Sequence, residues 1–307
     1  MESTLSDDQQ LAGDVLEAVL AESGNSMRIG ITGSPGVGKS TFIESFGKTI
    51  TAQGKKVAVL TIDPSSQVTG GSILGDKTRM QELARDPNAF IRPSPSGNTL
   101  GGIAPHTRET MLLCEAAGFE IIIVETVGTG QSETAIRQMV DFFLLLMQPG
   151  SGDELQGIKK GIVEMADAIA VTKADGDHLK TAKTTQADFK HALHLLKSQP
   201  SGWEPQVLTC SALTGSGLKE IQSILEQYKN QLSASGHFQA NRRNQLTSWF
   251  QEHFKFLLHI DPKRYPELSD SEKTLQHLVQ RGEESPRKAA RRLLDAYHQA
   301  IQRSHPL

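Results

Sequence analysis

Six short apolar runs recur along the chain, each bounded by polar or turn-forming residues. They are Met27–Thr32, "KVAVLTID" at 56–63, "FEIIIVE" at 119–125, "DFFLLLM" at 141–147, "DAIAVT" at 167–172 and "QVLTC" at 206–210. Four β-branched residues in succession at 121–124 predict a strand buried on both faces, since a half-exposed strand would alternate apolar and polar positions. Segments of helical character separate the runs, which indicates a parallel sheet covered on both faces. A leading segment, "DDQQLAGDVLEAVLAES", begins with acids suited to a helix start and places Leu11, Val15, Leu16, Val19 and Leu20 on one helical face.

Beyond about Gln231 the pattern becomes helical throughout. "NQLTSWFQEHFKFLLHI" carries a wide apolar stripe of Leu246, Trp249, Phe250, Phe254, Leu257 and Leu258. That stripe suits either packing on the protein's own sheet or contact with another molecule. "SPRKAARRLLDAYHQAIQR" starts with Ser285 as N-cap and Pro286 in the first helical position. The expected layout is an α/β domain over residues 27–232, with a helical extension over 1–26 and a helical arm over 233–307.

Composition narrows the setting. The chain has 307 residues, of which 32 are basic and 35 acidic, so a net charge of −3 gives no bulk attraction to nucleic acid or an anionic membrane. Its two cysteines, Cys114 and Cys210, form no metal-binding spacing and fit a reduced, cytoplasmic compartment. The acidic start has no apolar signal region, and the run "FFLLLM" is too short to span a bilayer.

The chemistry begins at "GSPGVGKST", Gly33 to Thr41, which matches G-x-x-x-x-G-K-[ST] between a predicted strand and a predicted helix. Gly33, Ser34, Pro35, Gly36, Val37 and Gly38 form a loop whose backbone N–H groups can cradle phosphate. Lys39 neutralises the β- and γ-phosphates, Ser40 ligates Mg²⁺, and Thr41 lies in the first helical turn with its positive dipole end. A chance glycine turn is the bland alternative, and the strand–loop–helix setting argues against it.

Two further motifs, each at a strand end, indicate the base. "TKAD" at 172–175 resembles the N/T-K-x-D motif of GTPases. The Asp175 carboxylate can accept from N1–H and the 2-amino group of guanine, whereas adenine offers an acceptor at N1. The stem of Lys173 can lie over the base, and Thr172 replaces the commoner Asn. Ser211, Ala212 and Leu213 resemble the short loop whose backbone meets the guanine carbonyl. "TKAD" alone could be helix-cap chemistry, but the three motifs in order point to GTP and GDP as ligands.

Glu125 closes a buried strand beside the phosphate loop, the position from which an acid holds Mg²⁺ directly or through water. Asp63 ends the second predicted strand, and Asp76 follows a glycine-rich lead-in, where a helix cap is the competing role. "ETVGTGQSE" occupies the place of the D-x-x-G switch, with Gly128 set to sense the γ-phosphate. Residue 129 is Thr where Ras-type enzymes carry a water-orienting Gln, so slow hydrolysis accelerated by a partner is expected.

Four blocks, "DPSSQVTGGSILGDKTRM", "IRPSPSGNTLGG", "LLCEAAGFEIIIVETVGTGQSE" and "GDELQGIKKGI", resemble the MeaB/ArgK-type GTPases. These are chaperones of adenosylcobalamin-dependent acyl-CoA mutases such as methylmalonyl-CoA mutase. The resemblance covers roughly residues 27–235. It implies a mostly parallel P-loop NTPase fold of the SIMIBI type, and Mg²⁺ handling by Ser40, Asp63, Asp76 and Glu125. It also implies a third switch around Gln148 to Gly161, containing Asp153, Gln156, Lys159 and Lys160, in which Lys159 swings toward the phosphates when the partner docks. Such a lysine would act on developing phosphate charge as an arginine finger does. On its own chemistry the Lys159–Lys160 pair would read as a solvated helix face. The resemblance further implies a homodimer.

No D-x-H-x-x-G cobalamin motif occurs, so the cofactor is expected on another protein. A metal-delivery GTPase is the second reading, for which only His191 and His194 stand near one another on a predicted helix. A kinase acting with ATP is a third, but no H-R-D motif is visible.

Overall fold

The computed structural model describes residues 6–63, 80–95, 106–125, 133–151, 160–194, 201–260, 265–281 and 283–304. By its internal contacts the chain divides at Arg242/Arg243 into two units.

The first unit is built on seven strands: β1 (Met27–Gly33), β2 (Val57–Asp63), β3 (Ala89–Pro95), β4 (Ile121–Glu125), β5 (Phe142–Met147), β6 (Ala168–Val171) and β7 (Gln206–Thr209). They form one sheet in the order β3-β2-β4-β1-β5-β6-β7. Every pairing is parallel, so the expected mostly parallel sheet is entirely so among the described strands.

Six strands fall where the apolar runs placed them. β3, "AFIRPSP", had no such signal, because Pro93 and Pro95 cannot donate to a ladder. It sits at the sheet edge, where a strand needs only one bonded side.

Strand residues alternate between two cores. Ile29, Ile31, Ile121 and Ile123 pack with α2 (Lys39–Thr51) on one face, through Phe42, Ile43, Phe46 and Ile50. Leu60, Ile122 and Val124 face Met111 of α3 (Thr107–Ala116), and Ile136 of α4 (Glu133–Arg137), on the other. The sheet is therefore buried on both sides, as its β-branched composition requires. α5 (Lys160–Met165) and α6 (Leu179–His194) add to the second face, where Val163, Ala182 and Phe189 meet Leu145, Met147 and Ile169. α7 (Leu218–Ala234) adds to the first through Ile221, Leu225 and Tyr228.

The leading helix α1 (Ser6–Val19) turns its predicted apolar face only partly inward. Leu16 and Val19 are half-buried, while Leu11, Val15 and the following Leu20 are exposed.

The amino-terminal end of the sheet holds a charged network with no local sequence signal. Arg28 of β1 donates twice to the Glu115 carboxylate, each bond 2.8 Å. Arg242, at the base of α8 (His237–Ile260), donates to Asp141 at 2.5 and 2.6 Å and to the Ser26 carbonyl at 2.7 Å. Arg137 reaches Asp167, whose other oxygen accepts from the Phe143 N–H at 2.8 Å. Burial alone pushes Glu115 up, but Arg28 and then Arg242 outweigh it and hold the carboxyl below its usual range. Asp167 goes the other way: burial raises it to about 6 despite the opposing pull of Arg137.

In the second unit, α8 continues past Arg242, and α9 (Pro266–Gln280) packs on α10 (Pro286–Ser304). Ser285 caps α10 as expected, accepting from the Lys288 N–H at 3.3 Å.

Candidate functional site

In a doubly wound parallel sheet the chain leaves the central strand in both directions. A crevice therefore opens at the carboxyl end of that strand. Here that strand is β1, flanked by β4 and β5. The glycine-rich loop begins there and passes into α2. Gly38, immediately before the helix, has φ of 95°, a conformation that glycine adopts without strain. At Gly33 an added Cβ would lie 2.6 Å from the Leu146 carbonyl oxygen, so the turn out of β1 admits no side chain.

Lys39 is the first residue of α2. Its Nζ is folded back on the loop, donating to the Gly33 carbonyl at 2.8 Å and to the Ser34 carbonyl at 3.3 Å. Burial pushes its pKa below the usual lysine range, while Glu125 and, less strongly, Glu133 favour the ammonium form. Ser34, Pro35 and Gly36 are exposed, Val37 is buried, and Thr41 is exposed on the first turn.

The next residue, Ser40, donates through Oγ to Oε1 of Glu125 at 3.3 Å. Glu125 ends β4, is 7% exposed and is in register with Ile31 of β1 and Thr61 of β2. A serine hydroxyl and a carboxylate brought together beside a phosphate loop are hard oxygen donors, and Mg²⁺ takes oxygen ligands of this kind. The pair fits a Mg²⁺ site. Asp63 stands at the end of β2, two strands from β1. Asp76, Gly128, Asp153, Gln156 and Lys159 lie outside the described residues, and Lys160 opens α5.

The opposite flank of the crevice holds the residues of the two motifs that follow β6 and β7. Thr172, at the end of β6, donates to the Val37 carbonyl at 2.8 Å and lies 3.2 Å from that of Met147. The hydroxyl thus joins the phosphate loop to β6. Lys173 has φ of 54° and is the one non-glycine residue of positive φ among the described residues. Such a backbone costs roughly 1 kcal/mol and marks a position held by its surroundings. Its Nζ donates to the Gly36 carbonyl at 2.8 Å, which stretches the side-chain stem across the crevice.

Asp175 accepts a short hydrogen bond from Ser211 Oγ. Ser211 is fully buried, and its Oγ also accepts from the Thr214 N–H at 3.2 Å, so the hydroxyl orients the carboxylate from the second loop. The Ala212 carbonyl accepts from Ser45 of α2 at 2.7 Å, and Leu213 is exposed. The motifs after β6 and β7 are therefore joined to each other and to the phosphate loop.

Sequence motifs gave no sign of three contributions. Ser45 acts through its hydroxyl on a distant carbonyl, and so does Thr172, which the TKAD motif contains but whose bonding role it does not announce. The third is Glu133, 4% exposed at the start of α4 and felt by Lys39. His191 and His194 are exposed on α6.

A family model described as "Methylmalonyl Co-A mutase-associated GTPase MeaB" matches residues 1–259. A mouse protein named methylmalonic aciduria type A homolog, mitochondrial, is 45% identical over 307 aligned residues, covering 97% of this chain and 74% of that one. The GTPase ArgK of Escherichia coli is 51% identical over 244 residues, covering 80% of this chain and 74% of its own. Among solved structures, one titled LAO/AO transport system kinase is 38% identical with a TM-score of 0.74, covering 97% of this chain and 90% of that one.

Proposed function

The chain belongs to the MeaB family of methylmalonyl-CoA mutase-associated GTPases, and from that premise we propose that it hydrolyses GTP to GDP and phosphate in the service of an adenosylcobalamin-dependent acyl-CoA mutase. It acts there as a G-protein chaperone, gating the loading, protection or reactivation of the mutase cofactor. The observation that carries the nucleotide reading is one crevice in which Lys39, the Ser40–Glu125 pair and the Asp175–Ser211 pair converge on the carboxyl ends of β1, β4, β6 and β7.

In this reading Asp175 accepts from both guanine donors, with Ser211, Ala212 and Leu213 at the guanine carbonyl and Lys173 over the base. Residues 33–38 wrap the phosphates with backbone N–H groups. Lys39 leaves its two carbonyls to meet the β- and γ-oxygens. Ser40 and Glu125 hold Mg²⁺ with Asp63 and Asp76, and the metal supplies charge neutralisation between the phosphates. Gly128 senses the γ-phosphate. Turnover is slow in isolation, because Thr129 cannot orient water as a Gln would.

The partner completes the site through the segment containing Asp153, Gln156, Lys159 and Lys160, with Lys159 delivered to the developing charge. The cobalamin stays on the mutase. The working form is a cytoplasmic homodimer joined through the arm over residues 233–307. Supporting that arm are Leu246, Phe250, Phe254 and Leu258, four residues apart along α8 and each at least half exposed.

The test is phosphate release from GTP, with ATP as control, by the protein alone and with a purified adenosylcobalamin-dependent acyl-CoA mutase. Slow GTP turnover that the mutase accelerates, and that Lys159→Ala leaves unaccelerated, is the expected result. GTP turnover indifferent to the mutase would exclude the chaperone role and favour metal delivery. Phosphate transfer from ATP to an acceptor would exclude the GTPase reading.

A further inference from the structure

The loop after β7 is held in place from another element. Leu213 to Ser216, at its tip, are exposed, so packing has no hold on them. Hydrogen bonds set the loop instead. Ser211 ties it to itself. Its N–H donates to the Ser216 carbonyl at 2.9 Å, its carbonyl accepts from the Gly215 N–H at 3.0 Å, and its Oγ accepts from the Thr214 N–H at 3.2 Å. The Ala212 carbonyl is bound differently: it accepts from the Ser45 hydroxyl of α2 at 2.7 Å, across 167 positions of sequence.

A serine inside a helix ordinarily returns its hydroxyl to the carbonyl four residues before it. Thr49 does so on this same helix, donating to the Ser45 carbonyl at 2.9 Å. The Ser45 hydroxyl leaves the helix for the loop. Because a peptide unit is planar and trans, fixing the Ala212 carbonyl also fixes the direction of the Leu213 N–H. One side-chain bond therefore orients a whole peptide plane. The helix that supplies it is steadied beyond its far end, where Gln53 exchanges two hydrogen bonds of 2.7 Å with Gln222 of α7, the helix into which the loop runs.

These bonds close a circuit around the crevice. The Gly36 and Val37 carbonyls of the phosphate loop accept from Lys173 and Thr172. The Cys210 carbonyl accepts from the Ala174 N–H at 3.0 Å, and Asp175 accepts from Ser211. Ser45 then leads from Ala212 back to α2, which opens with Lys39 and Ser40. Removing its hydroxyl opens the circuit at the loop with the least packing behind it. We propose that Ser45 is a positioning residue for base recognition. It sets the loop of Ser211, Ala212 and Leu213 at a fixed distance from the phosphate loop, so that guanine discrimination depends on a hydroxyl of the phosphate-loop helix. This rests on the guanine-nucleotide reading of the crevice and deepens it.

The experiment measures dissociation constants for GDP, ADP and inorganic pyrophosphate with Mg²⁺, and thermal unfolding, in the wild type, Ser45→Ala, Ser45→Cys and Ser45→Thr. One net hydrogen bond is worth roughly threefold to tenfold in an equilibrium constant. Ser45→Ala is expected to weaken GDP by that factor and to leave pyrophosphate unchanged, since the phosphate loop keeps its bonds to Thr172 and Lys173. Ser45→Cys keeps the volume with a weak donor, so its loss should be smaller, and it serves alone where the Ala variant does not fold. Ser45→Thr keeps the hydroxyl and should restore GDP binding. A purely structural role would lower the unfolding temperature and weaken GDP and pyrophosphate by the same factor, or neither. Either outcome overturns this inference alone, as does a threonine no better than alanine. Wild-type protein that binds ADP as tightly as GDP overturns the guanine reading and this inference with it.

Discussion

Asp175 and Thr172 lie three positions apart and divide one task. In the proposed reading the carboxylate meets the base; the hydroxyl ties the strand behind it to the phosphate loop. Asp175→Asn replaces an acceptor with an amide that donates, which suits the 2-oxo group of xanthine rather than the 2-amino group of guanine. GTP affinity should fall about a hundredfold while XTP binding appears, as read by competition with a fluorescent nucleotide. Thr172→Val keeps the shape and removes the bond to Val37, leaving that carbonyl without the hydroxyl donor. It should cost about 1–2 kcal/mol in denaturant unfolding and weaken nucleotide binding through the loosened loop. The TKAD motif made Asp175 legible in the sequence, because its chemistry is local to the motif. The part played by Thr172 was not, since its partners, Val37 and Met147, are 135 and 25 residues away.

At the scale of elements, strands with uniformly apolar sequence declared themselves, and the order of motifs placed the crevice. β3 escaped because its prolines remove the pattern on which strand recognition depends, and because an edge strand tolerates them. α4 escaped for a different reason: five residues are too few to establish a helical period. The loop after β7 turns on Gly217, whose φ is 79° and where a Cβ would lie 2.1 Å from the Thr209 carbonyl oxygen. A substitution there strains the backbone and displaces β7 together with Ser211. Gly217→Ala should lower stability by about 2 kcal/mol or more, measured by thermal unfolding. It should also loosen guanine binding more than phosphate-loop geometry, seen as a larger loss for GDP than for inorganic pyrophosphate.

At the scale of the whole molecule, charges buried at the amino-terminal end of the sheet set its response to pH. The ordinary value for Asp167 is 3.8 and the folded value about 6, so its contribution to stability is complete below 3.8 and lost as pH rises through about 6. Glu115 is depressed from 4.5, so its contribution is present above 4.5 and lost as pH falls through its lower folded value. The unfolding midpoint should therefore rise as pH is lowered from about 6 to about 4.5, and fall on further acidification. Asp167→Asn, which cannot titrate, should lose the rise. The proposed dimer makes its own prediction: the protein should sediment as a dimer and Phe250→Glu with Phe254→Glu as a monomer, with the midpoint of the first unit unchanged. None of the ion-pair network was legible in sequence. Arg28 and Glu115 are 87 residues apart, and Arg242 and Asp141 are 101 apart, so only the closed fold introduces them.

The folded-back Lys39 has a consequence for how the crevice fills. Its ammonium already has two carbonyl partners, so an arriving phosphate does not meet a bare charge. Entry is a trade of ligands rather than a capture, and a newcomer must offer more than Gly33 and Ser34 give up. A lone phosphate ion offers little beyond one such contact. On the guanine-nucleotide reading proposed above, a nucleotide arrives with its base seated on Asp175 and releases the lysine from a fixed distance. On that reading the loop works as a lock turned from the far end of the key, yielding to guanine recognition more readily than to a lone small anion.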